Sequence, residues 1–315
     1  MSPVTLADVL AAADRIRPFV RHTPVHTSGT MDRLSGRELF FKCENFQTTG
    51  SFKYRGATNA VQKLDDATAA RGVVTHSSGN HAQALALAAR VRGIPATIVM
   101  PRTAPAVKKQ AVIGYGGRVI ECEPIVSERE RVANQAVADT GGVLIPPYDH
   151  PDVIAGQGTA ALELLADVPE LDAVVVPVGG GGMLSGYCVA IKGTKPAVRV
   201  FGAEPLNADD AARSMARGER QPQVPPNSIA DGLLTNLGEL TWPIIREHVE
   251  SVFTVSEAEI VAAMRLVWER MKLVIEPSAA VGVAVVLGEA FKKTNARRVG
   301  VVLCGGNVSL DKLYW

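Results

Sequence analysis

Long apolar runs and dense basic clusters are both missing from this chain of 315 residues. Apolar stretches such as residues 173–178 are far shorter than the roughly 20 residues that a membrane-spanning helix needs. The N-terminus has no basic start followed by an apolar run, so we expect neither a membrane protein nor a signal peptide. The net charge is +1, and the charges are spread along the chain, which argues against nucleic-acid binding.

Cysteine is scarce, and the four cysteines are not closely spaced: Cys43, Cys122, Cys188 and Cys304. Disulfide frameworks and zinc knuckles bring cysteines together at short intervals, so we expect neither. Reduced thiols are typical of the cytoplasm, which is the location that the sequence predicts. Apolar residues make up 47% of the chain, enough for a sizeable core in two domains or one large domain.

Short apolar strands alternate with helical segments through most of the chain. Strands are predicted over residues 73–75, 96–100, 118–122, 143–145, 173–178, 198–203 and 299–303. Helices are predicted over residues 82–92, 106–114, 127–140, 154–165, 183–192, 257–271 and 278–292. This alternation predicts mostly parallel sheets covered by helices. Residues 217–227 are rich in proline and glutamine and predict a surface loop.

One lysine, Lys53, stands in the segment Gly50-Ser51-Phe52-Lys53-Tyr54-Arg55-Gly56. An aldehyde cofactor needs a primary amine to form a Schiff base, and lysine is the side chain that supplies one. A single lysine is more often a solvated surface residue. Here Gly50 and the small residues allow a tight turn, and Phe52 can shelter the amine, which favours a functional lysine.

A glycine run, Gly179-Gly180-Gly181-Gly182, separates a predicted apolar strand from a helix that begins near Met183. Successive glycine N–H groups can converge on an anion, and the helix N-terminus favours negative charge. The alternative is a flexible turn. A dinucleotide site is disfavoured, because Gly181 and Gly186 give the wrong interval for its glycine motif.

Two further segments carry polar groups. Ser77-Ser78-Gly79-Asn80-His81 lies between a predicted strand and a helix, where serine and asparagine also serve as caps and turn residues. Glu204-Pro205-Leu206-Asn207-Ala208-Asp209-Asp210 offers two carboxylates and a free carbonyl, which suit a hard divalent cation. The alternative for the second segment is an acidic helix start, with Asn207 as the cap and the two aspartates in the first turn.

Together these motifs resemble the fold-type II pyridoxal phosphate (PLP) enzymes, and more closely the serine racemase and serine/threonine dehydratase family. The Ser51-Phe52-Lys53-x-Arg55-Gly56 string matches the cofactor-lysine motif of that family, and the resemblance covers nearly the whole chain. It implies an α/β fold of the tryptophan synthase β-like type, with two open parallel-sheet domains and the active site between them. Residues 1–68 and 149–315 would form the large PLP-binding domain, and residues 69–148 the small domain.

The resemblance implies a role for each motif. Lys53 would bind PLP and act as the catalytic base, and Ser78 would be a second catalytic group on the opposite side of the cofactor. The other cofactor contacts would be Phe52, Asn80, Gly179, Gly180, Gly181, Gly182, Met183 and Cys304, with Asn80 bonded to the 3′ oxygen and Cys304 facing the pyridine nitrogen. Without the resemblance, Cys304 is an ordinary core cysteine.

Substrate and metal sites are implied in the same way. The substrate carboxylate would be held by the loop of Ser77, Ser78, Gly79, Asn80 and His81, with the His81 side chain structural rather than catalytic. A divalent cation, Mg²⁺, Ca²⁺ or Mn²⁺, would be bound by Glu204, the Ala208 carbonyl and Asp210.

The activity implied first is dehydration of L-threonine or L-serine to 2-oxobutanoate or pyruvate with release of ammonia. Alternatives are serine racemisation, for which Ser78 would supply the second face, and dehydration of 3-hydroxyaspartate. The last would need a cation near the distal carboxylate, and the sequence does not identify one. A β-replacement synthase fits the motifs less well, and a non-catalytic PLP-binding protein is a remote alternative. We expect a homodimer that acts on a small amino acid.

Three features depart from parts of the family. Thr48 stands where mammalian serine racemase has a lysine at its nucleotide-contacting surface, which argues against activation by ATP. Tyr148, after Pro147, is similar to bacterial threonine dehydratases. The chain ends at Trp315, so we expect no C-terminal regulatory domain and no feedback inhibition by isoleucine.

Overall fold

The computed structural model describes residues 3–222, 225–311 and 313–315. Within these ranges strands and helices alternate as the sequence predicts. The strands are β1 Val25–Thr27, β2 Glu38–Lys42, β3 Val73–His76, β4 Ala96–Pro101, β5 Arg118–Cys122, β6 Val143–Leu144, β7 Ala173–Pro177, β8 Arg199–Pro205, β9 Ser251–Val255 and β10 Arg298–Val302. The α-helices are α1 Leu6–Ile16, α2 Gly29–Ser35, α3 Lys53–Lys63, α4 Asp66–Ala69, α5 Asn80–Arg92, α6 Ala106–Gly114, α7 Val126–Thr140, α8 Pro151–Asp167, α9 Gly182–Thr194, α10 Asp210–Arg217, α11 Thr241–His248, α12 Glu257–Met271, α13 Pro277–Leu287 and α14 Glu289–Lys292. Short 3₁₀ helices cover Glu44–Phe46, Thr48–Gly50, Leu206–Ala208 and Asp231–Leu233.

The larger sheet has the strand order β1-β2-β10-β7-β8-β9. Its neighbouring strands are parallel except for β1 and β2, which pair antiparallel at the edge. Strand β7 is buried along its whole length, as expected when helices cover both faces of a parallel sheet. The predicted class, a parallel α/β fold, is confirmed, with one antiparallel edge that the sequence did not indicate.

The smaller sheet has the order β5-β4-β3-β6 and is parallel throughout. Its strands all fall between Val73 and Leu144, inside the segment proposed as the small domain, residues 69–148. The chain leaves the larger sheet after β2 and returns to it at β7, so the strands of the smaller sheet form one continuous stretch of sequence.

Some elements differ from the sequence-based expectation. The helix expected over residues 278–292 is two helices, α13 and α14, because the backbone is extended at Gly288 (φ −75°, ψ 151°). Helix α1 was not predicted, although Thr5 and Asp8 form a capping box at its start. The predicted loop at residues 217–227 follows the end of α10, and its residues 223 and 224 lie outside the described residues.

A buried cluster of charges fixes helix α3 against the larger sheet. The Arg55 guanidinium lies 2.8 Å from Glu44 and 2.6 Å from Glu163, and the Lys42 ammonium lies 2.7 Å from Glu163. Two cations and two carboxylates thus neutralise one another in the interior. Removing one partner from a buried ion pair costs about 3–5 kcal/mol because a charge is left uncompensated. The cluster therefore holds the helix that begins at Lys53 in a defined position.

Within the described ranges, no helix combines the length and the apolar character that crossing a bilayer requires.

Candidate active site

The candidate site lies where several parallel strands end. The segment from Ser77 to His81 follows β3, the glycine run follows β7, and Cys304 follows β10. Ligands of open α/β sheets bind outside the carboxyl ends of the strands, where the chain can leave the sheet in different directions. The fold therefore brings together motifs that are more than two hundred residues apart in sequence.

Lys53 is the first residue of α3 and follows a turn in which Thr49 and Gly50 both have positive φ, 67° and 74°. Its Nζ donates a hydrogen bond of 2.6 Å to the carbonyl oxygen of Pro147. Burial lowers the pKa of Lys53 to about 8, although Cys304 and Glu276 act to raise it. More of this amine is therefore neutral near pH 7 than is the case for a surface lysine.

The lysine segment is tied directly to the end of β10. The Phe52 N–H donates to the Cys304 carbonyl at 3.0 Å, and Ser51 forms an isolated antiparallel bridge with Gly305. The Phe52 ring centroid lies 5.1 Å from the Lys53 Nζ. Burial raises the pKa of the Cys304 thiol well above its ordinary value, so the thiol stays neutral.

The glycine run packs against neighbouring residues so closely that a side chain on it would clash. Gly181 has a φ of +88°, and a Cβ on Gly180 would lie 2.4 Å from the Tyr148 ring. A Cβ on Gly182 would lie 2.9 Å from the same tyrosine. The N–H groups of Gly179, Gly180 and Gly181 donate to no described residue, and they stand at the N-terminus of α9. Free N–H groups beside a helix N-terminus fit a phosphate.

Met183 is the second residue of α9, and its side chain is part of the core of the larger sheet. Its predicted contact with the cofactor would therefore involve the backbone N–H at the start of the helix rather than the thioether.

The loop after β3 leads into α5, which begins at Asn80. Ser77 and Ser78 are partly exposed, and His81 is buried. The His81 Nε2 lies 3.0 Å from the Ile145 carbonyl oxygen, so this nitrogen carries the proton. Burial lowers the pKa of His81 to about 3. The neutral ring has a packing role, and only the backbone N–H of His81 is available for a carboxylate.

Glu276 was not predicted as a site residue. It is buried, its carboxylate accepts a hydrogen bond of 2.9 Å from the Asn80 side chain, and burial raises its pKa to about 7. In the sequence it is visible only as the residue before Pro277, the first residue of α13. No local pattern shows that this helix start lies near Lys53.

The acidic segment after β8 is arranged around a helix start. The two carboxylate oxygens of Glu204 accept hydrogen bonds from the N–H groups of Ala211 (3.0 Å) and Ala212 (2.9 Å). The alternative that Asn207 caps this helix is wrong, because Glu204 supplies those acceptors and no side chain caps α10 from the adjoining position. Asp210 accepts a hydrogen bond of 3.0 Å from the Leu237 N–H.

Burial raises the pKa of Glu204 to about 9 and that of Asp210 to about 6. The charge of Asp210 adds to the rise in the pKa of Glu204, so the two carboxylates are close enough to interact, and a cation between them would stabilise both ionised forms. Across the described part of the chain, no group of three or more His, Cys, Asp or Glu side chains could hold a metal ion.

Arg129, on α7, is a second residue that the sequence did not single out. Its Nε is buried and has no hydrogen-bond partner among the described residues. Its charge acts with burial to lower the pKa of His76, the last residue of β3 and the one before the Ser77–His81 loop. A guanidinium with unused donors therefore lies near the predicted carboxylate-binding loop.

Comparison with known proteins identifies the family of this chain. A family model described as "Pyridoxal-phosphate dependent enzyme" matches residues 16–305. The chain is 54% identical to a β-hydroxyaspartate dehydratase of Paracoccus denitrificans, over 99% of this chain and 98% of that protein. It is 50% identical to a serine racemase of Dictyostelium discoideum, over 99% of this chain and 98% of that one.

Solved structures give the same result. The crystal structure of the Dictyostelium serine racemase superposes with a TM-score of 0.95, covering 98% of this chain and all of that chain (100%). The crystal structure of a threonine deaminase from T.th. superposes with a TM-score of 0.92, covering 97% of this chain and 99% of that chain. The two sequences are 43% identical.

PLP fits the residues present. The partly buried amine of Lys53 can react with an aldehyde, the free N–H groups of the glycine run can hold a phosphate, and the neutral Cys304 thiol suits an aromatic nitrogen. Because the family model spans most of the chain and relatives reach 50% identity or more over nearly their full length, this chain belongs to the fold-type II PLP-dependent enzymes, in the branch that contains the serine racemases and the hydroxy-amino-acid dehydratases.

Proposed function

We propose that this protein acts on short β-hydroxy amino acids, as a serine racemase or a 3-hydroxyaspartate dehydratase ahead of a threonine dehydratase. The observation that carries the proposal is the partly buried Lys53 amine, held by a neutral carbonyl and with its pKa lowered to about 8. Such an amine can take a proton from carbon near neutral pH. PLP, when bound, would stabilise the negative charge that develops at the substrate Cα.

Other steps, binding of the substrate and movement of protons, are carried out by residues of the chain. Backbone N–H groups of the loop from Ser77 to His81, at the N-terminus of α5, bind the substrate carboxylate. Lys53 removes the Cα proton from one side. If the β-hydroxyl then leaves with a proton as water, the resulting unsaturated amine is hydrolysed by a water molecule to a keto acid and ammonia. If Ser78 instead returns a proton to the other side, the amino acid is racemised.

Serine and 3-hydroxyaspartate are favoured over threonine by the relatives. The proteins at 54% and 50% identity carry the names of a β-hydroxyaspartate dehydratase and a serine racemase, and the threonine deaminase is at 43%. A threonine substrate remains a proposal of lower rank, and the chemistry at Lys53 would be the same.

A specific observation favours 3-hydroxyaspartate as a second substrate. This amino acid has a distal carboxylate that needs a cation, and the buried Nε of Arg129 has no partner among the described residues. Arginine binds carboxylates through two parallel hydrogen bonds, which gives orientation as well as affinity. We therefore propose Arg129 as the group that recognises the distal carboxylate.

We also propose that Glu204, the Ala208 carbonyl and Asp210 bind a divalent cation, Mg²⁺, Ca²⁺ or Mn²⁺, in a structural role. The support is the pair of buried carboxylates whose pKa values are raised to about 9 and about 6. The positive charge of a cation would offset the free-energy cost of burying these two carboxylates in their ionised form.

The test is a parallel assay of the purified holoenzyme with L-serine, L-threonine and L-threo-3-hydroxyaspartate, in which keto acid and D-serine are both measured. Arg129→Met should reduce kcat/KM for 3-hydroxyaspartate roughly tenfold to a hundredfold, since a charged hydrogen bond is lost, and leave L-serine turnover near wild type. The control is Arg131→Met, on the same helix, where the arginine pairs with Glu128 at the surface. An equal loss with both substrates would refute the role of Arg129, and no turnover of any of the three would refute the proposed function.

A further inference from the structure

Two side chains from distant parts of the chain, those of Glu276 and Asn307, meet the side chain of Asn80. Its Nδ2 lies 2.9 and 3.2 Å from the two carboxylate oxygens of Glu276. Its Oδ1 accepts a hydrogen bond of 2.8 Å from the Nδ2 of Asn307. Asn80 begins α5, Glu276 precedes α13, and Asn307 follows β10. The contact therefore depends on the folded arrangement of both sheets.

The partners allow one orientation of the Asn80 amide. The Asn80 amide presents its NH₂ end to Glu276, whose carboxylate also accepts a hydrogen bond from the Asn307 N–H. The amide of Asn307 is fixed independently, because its Nδ2 also donates to the Thr49 carbonyl oxygen at 2.8 Å, and a carbonyl cannot donate. The Nδ2 of Asn307 then requires the oxygen end of Asn80. A flipped Asn80 amide would place its NH₂ group against the NH₂ group of Asn307.

Two of the four hydrogen-bonding positions of the Asn80 amide are thereby used, since its oxygen has two lone pairs and its nitrogen two hydrogens. Its oxygen accepts one hydrogen bond from Asn307, and one of its two amide hydrogens is directed to Glu276. One N–H remains, and it is a donor. The resemblance to PLP enzymes places Asn80 beside the ring oxygen of the cofactor, which carries negative charge when deprotonated. A donor stabilises that oxygen, and a carbonyl in the same place would repel it.

We propose that Glu276 and Asn307 are positioning residues that hold the Asn80 amide with an N–H, and not the carbonyl, directed at the ring oxygen of PLP. This inference rests on the proposed function, since it requires that PLP binds. Asn307 strengthens the arrangement through its backbone, because its own N–H donates to Glu276 at 3.1 Å. The two residues therefore act on each other as well as on Asn80.

The roles are separated by double-mutant cycles on the affinity of the apoprotein for PLP, measured by titration with visible absorbance. Asn80→Ala should raise the Kd for PLP roughly tenfold or more, since a hydrogen bond to a charged oxygen is lost. Asn307→Ala and Glu276→Gln should each raise it severalfold. Glu276 accepts a hydrogen bond on each of its two oxygens, from the Asn80 Nδ2 and from the Asn307 N–H. Glutamine keeps only one acceptor oxygen, so one of these donors loses its partner. If both residues act through Asn80, their effects should disappear in the Asn80→Ala background, because residues of one network are not additive.

Asn45→Ala is the matched control. Asn45 is another buried asparagine, whose Nδ2 donates to the Val274 carbonyl, and its replacement should leave the Kd for PLP unchanged. Thermal unfolding of each apoprotein shows whether the variant is folded. The Asn307 cycle is decisive, because Glu276 also acts directly on the pKa of Lys53. Effects that multiply with Asn80→Ala would overturn the positioning role while leaving the proposed function intact. A wild-type protein that does not bind PLP would overturn both.

Discussion

The Nζ of Lys53 lies 2.6 Å from the carbonyl oxygen of Pro147. A carbonyl accepts a hydrogen bond from an amine in either protonation state and cannot take its proton away. The amine is thus oriented by a hydrogen bond to a neutral group, while the Glu276 carboxylate acts on it only through its charge. This contact also joins the start of α3 to the segment by which the chain returns from the smaller sheet.

Replacement of Lys53 should abolish the enzymatic activity. We expect Lys53→Ala to abolish turnover and to eliminate the visible absorbance of lysine-bound PLP, because no other group supplies the Schiff-base nitrogen at this position. Lys63→Ala is the matched control, since Lys63 ends the same helix and pairs at the surface with Asp152. Absorption spectra and keto-acid assays of both variants provide the measurement. A Lys53→Ala protein with a normal visible band would show that another lysine holds the cofactor.

The lowered pKa of Lys53 predicts how PLP uptake depends on pH. Only the neutral amine attacks an aldehyde, and burial shifts the pKa from its ordinary value of 10.5 to about 8. The uptake rate should therefore rise with pH and level off above about pH 8. Stopped-flow absorbance of apoprotein mixed with excess PLP measures this profile. A rate that continues to climb toward pH 10 would mean that the amine behaves like a solvated lysine.

Ser78→Ala should separate racemisation from dehydration. Elimination needs only the proton removed by Lys53, whereas formation of D-serine needs a donor on the other side, the role proposed for Ser78. We expect the variant to lose D-serine formation and D-serine use while it retains dehydration of L-serine. Chiral chromatography measures D-serine and a keto-acid assay measures dehydration in the same samples, so the two activities of each variant are compared directly. Undiminished D-serine production would refute the two-base proposal, and a wild type that makes no D-serine would indicate a dedicated dehydratase.

Cation binding at Glu204 and Asp210 should be visible in thermal stability. A cation that binds only the folded protein raises its Tm by mass action, so added Mg²⁺, Ca²⁺ or Mn²⁺ should raise the Tm and EDTA should lower it. Glu204→Gln keeps the shape of the side chain but removes a charged ligand, and it should abolish both responses. Differential scanning calorimetry gives the measurement. Equal responses of wild type and variant would place any bound cation elsewhere.

Gly180→Ala tests the packing of the glycine run. The new Cβ would lie 2.4 Å from the Tyr148 ring, and such overpacking typically costs about 1–3 kcal/mol. We expect a lower Tm and weaker PLP binding. Gly114→Ala is the control, because no atom lies within 4 Å of its added Cβ. Unchanged PLP affinity in Gly180→Ala would show that the run does not need to be free of side chains.

Much of the fold was predictable because the apolar pattern differs between strands and helices and because tight turns need glycine. The alternation of elements and the positions of Lys53 and the glycine run follow from such local signals. Each of these depends on neighbours within a few residues in the chain, which a sequence shows directly.

The remaining parts of the site depend on contacts between distant segments. Glu276 and Asn307 meet Asn80 across gaps of 196 and 227 residues, and no local pattern encodes such a meeting. Arg129 looks like an ordinary helical arginine until its buried Nε is seen. The role of Glu204 at the start of α10 was missed for the same reason, since its partners lie seven and eight residues later.

The position of β10 has a consequence for protein synthesis. Among the described strands this one is synthesised last, yet it lies between β2 and β7, so the larger sheet cannot close until residues 298–302 have left the ribosome. The strands of the smaller sheet are complete once Leu144 has emerged. Local pairings form faster than distant ones, and domains fold as units during translation. We therefore expect the smaller sheet to fold first. Until β10 is inserted, β2 and β7 have unpaired edges, so chains truncated before β10 should be prone to aggregate.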